Sequence, residues 1–323
     1  MTNSSDLCVV LGASGALGSA LVRRLATGGM RVRAVNRSGR IEVPDGVDIE
    51  RADGADPVSI RRACDDATVI FHCINLPFLD GPRAFPQVTN AVIEAAAAAD
   101  ARLVFGDNLH MYGRVTDPIT EGLAYRATDA TGVTRSTMAR AVIAAHRAGR
   151  IRATIGRASD VYGPGVTRSM LGHRVFRAAL TGGTAEILGD ADALHTYTFI
   201  DDFASALVTL AERDEALGQV WHVPSAETLT TRQMLTSIFA EAGTPLRVKA
   251  TPTWRLTIGG LFDPWLRERR ESRHRYRDPF IVDHSKFARA FGASTTPHID
   301  AVRQTLDWHR GQAMLTRSAE TSS

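Results

Sequence analysis

Gly12, Gly15 and Gly18 stand three residues apart in Gly12-Ala-Ser14-Gly15-Ala16-Leu17-Gly18, between an apolar run and an amphipathic stretch. Glycines so spaced let a chain turn sharply, bring its backbone up to a pyrophosphate and pack the next helix closely on the strand. The helix that follows aims unpaired N–H groups and a partial positive charge at the same point. Gly12, Ser14, Gly15, Ala16, Leu17 and Gly18 are therefore read as a dinucleotide cradle. A tight strand-to-helix turn also uses glycine, and it is the placement between strand and helix that favours the cradle.

Cofactor choice is read at the end of the second strand, where Asn36-Arg37-Ser38 stands. NAD-binding chains usually place an acidic residue there to accept from the ribose hydroxyls. Here no carboxylate intervenes, and Arg37 with Ser38 can pair with a 2′-phosphate. NADPH or NADP is the expected cofactor, with Asn36 beside it; the plainer alternative is a solvated arginine at a strand end. Asp53 is placed to accept from the adenine amino group. The backbone at Cys73, in His72-Cys73-Ile74, ends a strand where a ribose or nicotinamide lies.

The elements that position these groups follow from periodicity. Residues 7–12 form a continuous apolar run, suited to a parallel strand covered on both faces. Leu17, Ala20, Leu21 and Leu25 then recur at helical spacing, Gly28-Gly29 stop the helix, and 31–36 read as a second strand. Strands at 68–73, 102–106 and 151–156 alternate with helices around 87–99 and 133–148. Such alternation implies an α/β fold with a doubly wound parallel sheet (Rossmann) and a smaller C-terminal substrate domain. The expected division is 1–165 with 198–225 for the dinucleotide domain, 166–197 with 226–315 for the substrate domain and lid, and a disordered tail at 316–323.

Composition narrows the function classes. The chain has 323 residues and a net charge of +3, and its 38 basic residues include only two lysines, Lys249 and Lys286. Acidic residues are interspersed and basic runs are few, which argues against nucleic acid as partner. Cys8, Cys64 and Cys73 lack metal or redox spacing and read as small buried hydrophobes of a reducing compartment, so no metal is expected. The polar N-terminus and the lack of a membrane-length apolar run point to a cytoplasmic protein without membrane attachment. Oligomeric state stays open.

With these residues in view, the chain resembles the extended short-chain dehydrogenase/reductases, the group of sugar epimerases, dehydratases and ketoreductases that includes NAD-dependent epimerase/dehydratase-like chains. The likeness rests on the glycine loop, His72-Cys73-Ile74, Val161-Tyr162-Gly163-Pro164-Gly165, Phe199-Ile200-Asp201-Asp202 and Asp283-His-Ser-Lys286 with Phe291-Gly292. In that family a Ser or Thr precedes a Tyr-Gly, and a Tyr-x-x-x-Lys pair opens the next long helix. The resemblance places Asn108 at the serine, Thr131 at the tyrosine and Arg135 at the lysine, and the chain has no Tyr-x-x-x-Lys at all.

Those replacements restrict the chemistry. Residues 131 and 135 share one helix face and can serve one site. A phenol beside an ammonium releases a proton near neutrality, whereas a threonine hydroxyl is far too weak an acid and arginine does not deprotonate in proteins. Asn108 and Thr131 are expected to stabilise a carbonyl oxygen by hydrogen bonds while Arg135 holds the ribose or a phosphate. Tyr197 is the protein candidate for the proton, with His110 behind it, and packing between domains explains Tyr197 equally well.

A missing proton donor favours a substrate that carries its own. The expectation is an NADPH-dependent ketoreductase acting on an aromatic or polyketide ketone, assisted by a substrate hydroxyl or water, and the chain is similar in this respect to angucyclinone ketoreductases. The alternatives are a nucleotide-sugar epimerase or dehydratase and a non-catalytic NADP(H)-sensing regulator. Trp254, Trp265, Tyr276 and Phe280, interleaved with Arg267 to Arg277, read either as a lid over a flat ligand or as a half-buried helix with a solvated basic face.

Overall fold

The computed structural model describes residues 6–76, 81–251 and 274–321. Its first half alternates strand and helix: β1 (Leu7–Leu11), α1 (Ala16–Thr27), β2 (Arg31–Asn36), β3 (Asp48–Arg51), α2 (Pro57–Ala63), β4 (Val69–His72), α3 (Gly81–Ala98), β5 (Arg102–Asp107), α4 (Ala130–Arg147) and β6 (Arg152–Arg157). After β7 (Asp160–Tyr162), α5 (His173–Thr181), β8 (Ala185–Leu188), β9 (Leu194–His195), β10 (Tyr197–Phe199) and α6 (Ile200–Glu212), β11 (Val220–His222) returns to the sheet. Among the described residues the remainder is β12 (Leu229–Thr230), α7 (Thr231–Ala242), β13 (Val248–Thr251) and the helices α8 (His274–Arg277), α9 (Ser285–Phe291) and α10 (His298–Thr321).

The central sheet is parallel, with strand order β11-β6-β5-β4-β1-β2-β3. The doubly wound sheet expected from the alternation is what the chain forms. The reason is visible in β1, where all five residues are buried. Cys8 and Val10 pack into a core with α1 and α6, while Leu7, Val9 and Leu11 pack into a second core with α2, α3 and α4. Each such side chain contributes about 1.5–3 kcal/mol by leaving water, so a strand covered on both faces must be apolar throughout. Strand order reverses between β1 and β4, which opens a crevice at the carboxyl ends of the strands.

Some elements differ from expectation. β3 and α2 went unread because β3 is largely exposed and short, and α2 is announced by a cap more than by periodicity: Asp56 accepts from the Val58 N–H ahead of Pro57. At the C-terminal end α10 continues through Thr321. Residues 252–273 of the aromatic and arginine-rich stretch lie outside the described residues. Among the described residues no helix is long and apolar enough to cross a membrane, and all three cysteines are buried free thiols.

Candidate active site

The glycine loop leaves β1 and folds back under β2, the Gly12 and Ala13 N–H groups both donating to the Val35 carbonyl at 3.0 Å. Gly12 has φ +86, and a Cβ there would lie 2.8 Å from the Cys73 carbonyl group and 2.9 Å from the Ile74 nitrogen. That contact seats the loop on the end of β4, so Cys73 contributes backbone while its thiol is buried. A Cβ on Gly18 would meet the Gly12 oxygen at 2.3 Å, which keeps α1 close to the strand. Gly15 is different. A Cβ there meets only the Gly12 oxygen, at 3.3 Å, so bare backbone faces open space over the first turn of α1. Those first-turn N–H groups lack partners within their helix and suit a phosphate, and a dinucleotide therefore fits this loop.

At the end of β2 only part of the expected set faces outward. Asn36 is buried, its Oδ1 accepting the Gly39 N–H at 2.7 Å and its amide donating to the Arg40 carbonyl at 3.0 Å. Ser38 is likewise bonded to the Arg40 backbone. Both residues thus spend polar atoms on closing the turn. Arg37 is exposed, with no ion pair or hydrogen bond among the described residues. Asp53 is also exposed, with one oxygen taken by the Ala55 N–H at 3.0 Å.

The reaction side is assembled where β5 meets α4. Asn108 Oδ1 accepts the His110 N–H at 3.0 Å and starts a 3₁₀ turn, His110–Tyr112. Gly132 lets this turn lie against α4, since a Cβ there would meet the His110 oxygen at 2.7 Å. Asn108, His110 and Thr131, on the first turn of α4, are thus brought together. Arg135, one turn further, is buried: Nη2 donates to Asn75 Oδ1 at 2.9 Å, Nη1 lies 3.8 Å from Asp107 Oδ1, and the guanidinium stands 4.5 Å from the Phe85 ring centre. Burial works against its charge and Asp107 supports it. His72 stacks on Phe105 at 4.8 Å, and burial, with Arg135 next, lowers its imidazole to about 3, so it is neutral.

Behind these groups runs a buried polar chain that sequence reasoning missed. β5 and β6 pair in register, with Asp107 opposite Arg157, and Arg157 Nε donates to Asp107 Oδ2 at 3.1 Å. Arg157 also donates to the hydroxyls of Tyr112 at 2.8 Å and Tyr125 at 2.7 Å. Tyr112 in turn meets His222 Nε2 at 3.0 Å, and His222 Nδ1 lies 3.0 Å from the Asp283 carbonyl. Arginine only donates, so the Tyr112 proton points to Nε2 and Nδ1 carries the His222 proton. Burial, then Arg157, lowers His222 to about 3, in agreement with that neutral tautomer; burial pushes Tyr112 up to about 12. The one available signal was a charged residue closing the apolar run that ends at Gly156.

A second cluster stands past the ends of β5 and β6. Asp160 accepts from Arg275 Nη2 at 2.8 Å and from His195 Nε2 at 3.0 Å, and Arg275 Nη1 donates to His110 Nε2 at 2.5 Å. Burial alone would raise the Asp160 carboxyl, but Arg275 and the His195 hydrogen bond hold it well below the usual range. Tyr197 packs in the core: its hydroxyl is bonded to Thr231 at 2.8 Å and burial pushes the phenol up, which favours the packing reading of this residue.

The comparisons bear on this geometry. The family model described as "NAD dependent epimerase/dehydratase family" matches residues 8–223. UDP-glucuronic acid 4-epimerase from Bacillus cereus, solved with UDP-glucuronic acid and NAD, is 19% identical with a TM-score of 0.79, over 95% of this chain and 99% of that one. The dTDP-glucose 4,6-dehydratase DesIV from Streptomyces venezuelae, solved with NAD, is 18% identical with a TM-score of 0.77, over 94% of this chain and 97% of that one. MoeE5 in complex with UDP-glucose and NAD is 22% identical with a TM-score of 0.75, over 96% of this chain and the whole of that one. No curated protein sequence matches.

These findings overturn the reading as a ketoreductase of aromatic or angucyclinone ketones. The fold relatives are epimerases and dehydratases of nucleotide sugars, and the family model names the same two reactions. The match runs from the glycine loop through β4, the Asn108 turn, Arg135 and Asp160 to the end of β11, with Arg275 beyond it, and the chain belongs to the NAD dependent epimerase/dehydratase family.

Proposed function

We propose that this chain is a dinucleotide-dependent epimerase or dehydratase of a nucleotide-linked sugar. The observation that carries the reading is the placement of every candidate group at one end of the sheet: the glycine loop after β1, Cys73 after β4, Asn108 and His110 after β5, Asp160 after β6. This is where open parallel sheets bind ligands. The N–H groups after Gly15 hold the pyrophosphate, and Arg37, an exposed cation of the β2 turn, selects the 2′-phosphate of NADP. When bound, the dinucleotide supplies a two-electron acceptor and donor for a sugar carbon.

The chain's own residues then have to orient the sugar and move a proton. Thr131 and the Asn108 amide donate hydrogen bonds to the sugar oxygen whose charge develops. Arg135, fixed by Asp107, Asn75 and Phe85, keeps a positive charge beside that oxygen. His110 exchanges the proton, imidazole being the side chain best suited to that task at neutral pH. Arg275 donates to Nε2, which leaves the resting ring neutral with its proton on Nδ1, so this contact has to open before Nε2 can take up a proton. The test is incubation with NAD or NADP and a panel of UDP- and dTDP-sugars in D2O, followed by NMR. Epimer or keto-sugar signals with deuterium at the reacting position are expected; bound cofactor with unchanged sugar throughout contradicts the reading.

A second reading, a dinucleotide-binding regulator without turnover, is favoured by one observation. Arg135 is locked among Asp107, Asn75 and Phe85, and Thr131 replaces the phenol. The NMR experiment separates the two.

A further inference from the structure

The far face of α4 takes no part in the crevice. Arg140, Ile143 and Arg147 recur there at i, i+3 and i+7, away from the buried side occupied by Arg135. Lys286 and Arg289, one turn apart on α9, front the same cavity, which takes in Glu121, Tyr125 and the start of β11 and measures about 1080 Å3. Small-molecule sites usually occupy roughly 300–1,000 Å3, so the space is ample. None of the glycine-loop residues, nor Asn108, Thr131 or Arg135, lines it.

Charge is what distinguishes this cavity. Arg23, Arg62, Arg150, Arg232 and Arg303, elsewhere on the surface, each pair with a carboxylate. Among the described residues none of Arg140, Arg147, Lys286 and Arg289 forms an ion pair. Lys286 donates to the Val220 carbonyl at 2.8 Å and lies 3.9 Å from the Trp221 ring centre, and Arg289 donates to the Ser285 hydroxyl at 2.9 Å. The carboxylate in the wall, Glu121, spends one oxygen on the His222 N–H at 2.9 Å. Four cations line the groove against Glu121 in its wall and Asp283 near Arg289, an excess of positive charge that gathers multivalent anions. Tyr125 turns a ring face to the cavity, with the Arg140 guanidinium 5.5 Å from its centre.

We propose that the groove between α4, β11 and α9 is a second binding site, for a phosphate-bearing small molecule, separate from the crevice at the carboxyl ends of the strands. Its phosphate sits among Arg140, Arg147, Lys286 and Arg289, and its body lies along Tyr125 and Ile143.

The two lysines of the chain make the test local. Pyridoxal 5′-phosphate is the probe: its aldehyde condenses with an amine, releasing water, and borohydride reduces the imine to a label that mass spectrometry locates. Lys286 is expected to react about 10-fold faster than Lys249, through phosphate concentrated in the groove, although the Lys249 side chain is 62% exposed. Inorganic pyrophosphate should abolish the preference, as should Arg147→Ala with Arg289→Ala, two exposed substitutions that leave the fold intact by circular dichroism. Pyridoxal without phosphate should show no preference. Equal labelling of the two lysines, a preference that survives the double substitution, or the same preference with unphosphorylated pyridoxal overturns the proposal.

Discussion

On the β1–β4 side of the crevice almost everything that matters is backbone. Gly12 rests on the Cys73–Ile74 peptide, Gly18 brings α1 against the loop, and Gly15 leaves bare chain over the helix start. On the β5–β6 side almost everything is side chain: Arg135 on Asp107, Arg157 on Asp107, two tyrosines and a histidine behind them. The first side works by leaving atoms out, the second by pairing charges that must not be left alone. A backbone site tolerates change wherever no Cβ intrudes. A buried charge network tolerates little, because removing one partner strands the other.

The largest expected effect is on the backbone side. Gly18→Val forces a branched side chain where even a Cβ would lie 2.3 Å from the Gly12 oxygen. The cost is on the order of 3–5 kcal/mol, read as a collapse of the urea midpoint. Gly15→Ala sharpens the contrast: the midpoint should hold while dinucleotide affinity falls, because its Cβ fills the cradle and not the core. Asp107→Asn comes next. It leaves Arg157, with no exposed side-chain surface, facing a neutral amide, at a cost of about 3–5 kcal/mol, while replacing both partners by apolar residues should recover much of the loss. Full stability in Asp107→Asn breaks the comparison.

Acid gives a smaller and graded effect. His72 and His222 are neutral when folded, burial lowering each from 6.5 to about 3. The unfolded chain therefore binds protons that the fold refuses below pH 6.5, and stability falls as pH drops from there toward 3, by up to about 1.4 kcal/mol per unit for each histidine. A urea midpoint that is flat between pH 6.5 and 4 contradicts the buried neutral pair. Smallest is Arg37→Ala, expected to weaken NADPH by about 10- to 100-fold and NADH hardly at all, since only the 2′-phosphate contact is lost. Equal weakening of both by calorimetry removes Arg37 from cofactor choice.

How much was legible in the sequence follows the same division. β1, α1, β2 and the glycine loop were readable because apolar runs and glycine spacing are local. Asn108, Thr131 and Arg135 became candidates only through the resemblance to the extended short-chain dehydrogenase/reductases. That Asn36 and Ser38 bond within a turn and Tyr197 within the core was not legible, because the sequence does not show which polar atoms a turn or a core will consume. Asp107–Arg157 and Asp160–Arg275 were not legible, since their partners lie 50 and 115 residues apart and meet only when the sheet forms. The substrate class was misjudged, from the altered triad and the composition.

The central claim is that one side of the crevice binds and the other side reacts, with His110 as the group that moves the proton. Calorimetric titration of wild type and His110→Ala with NADP, alongside nucleotide-sugar turnover by both, tests it most directly. Dinucleotide affinity should stay within about 2-fold while turnover falls by about 100-fold or more. Turnover that survives His110→Ala, or affinity lost together with it, contradicts the account.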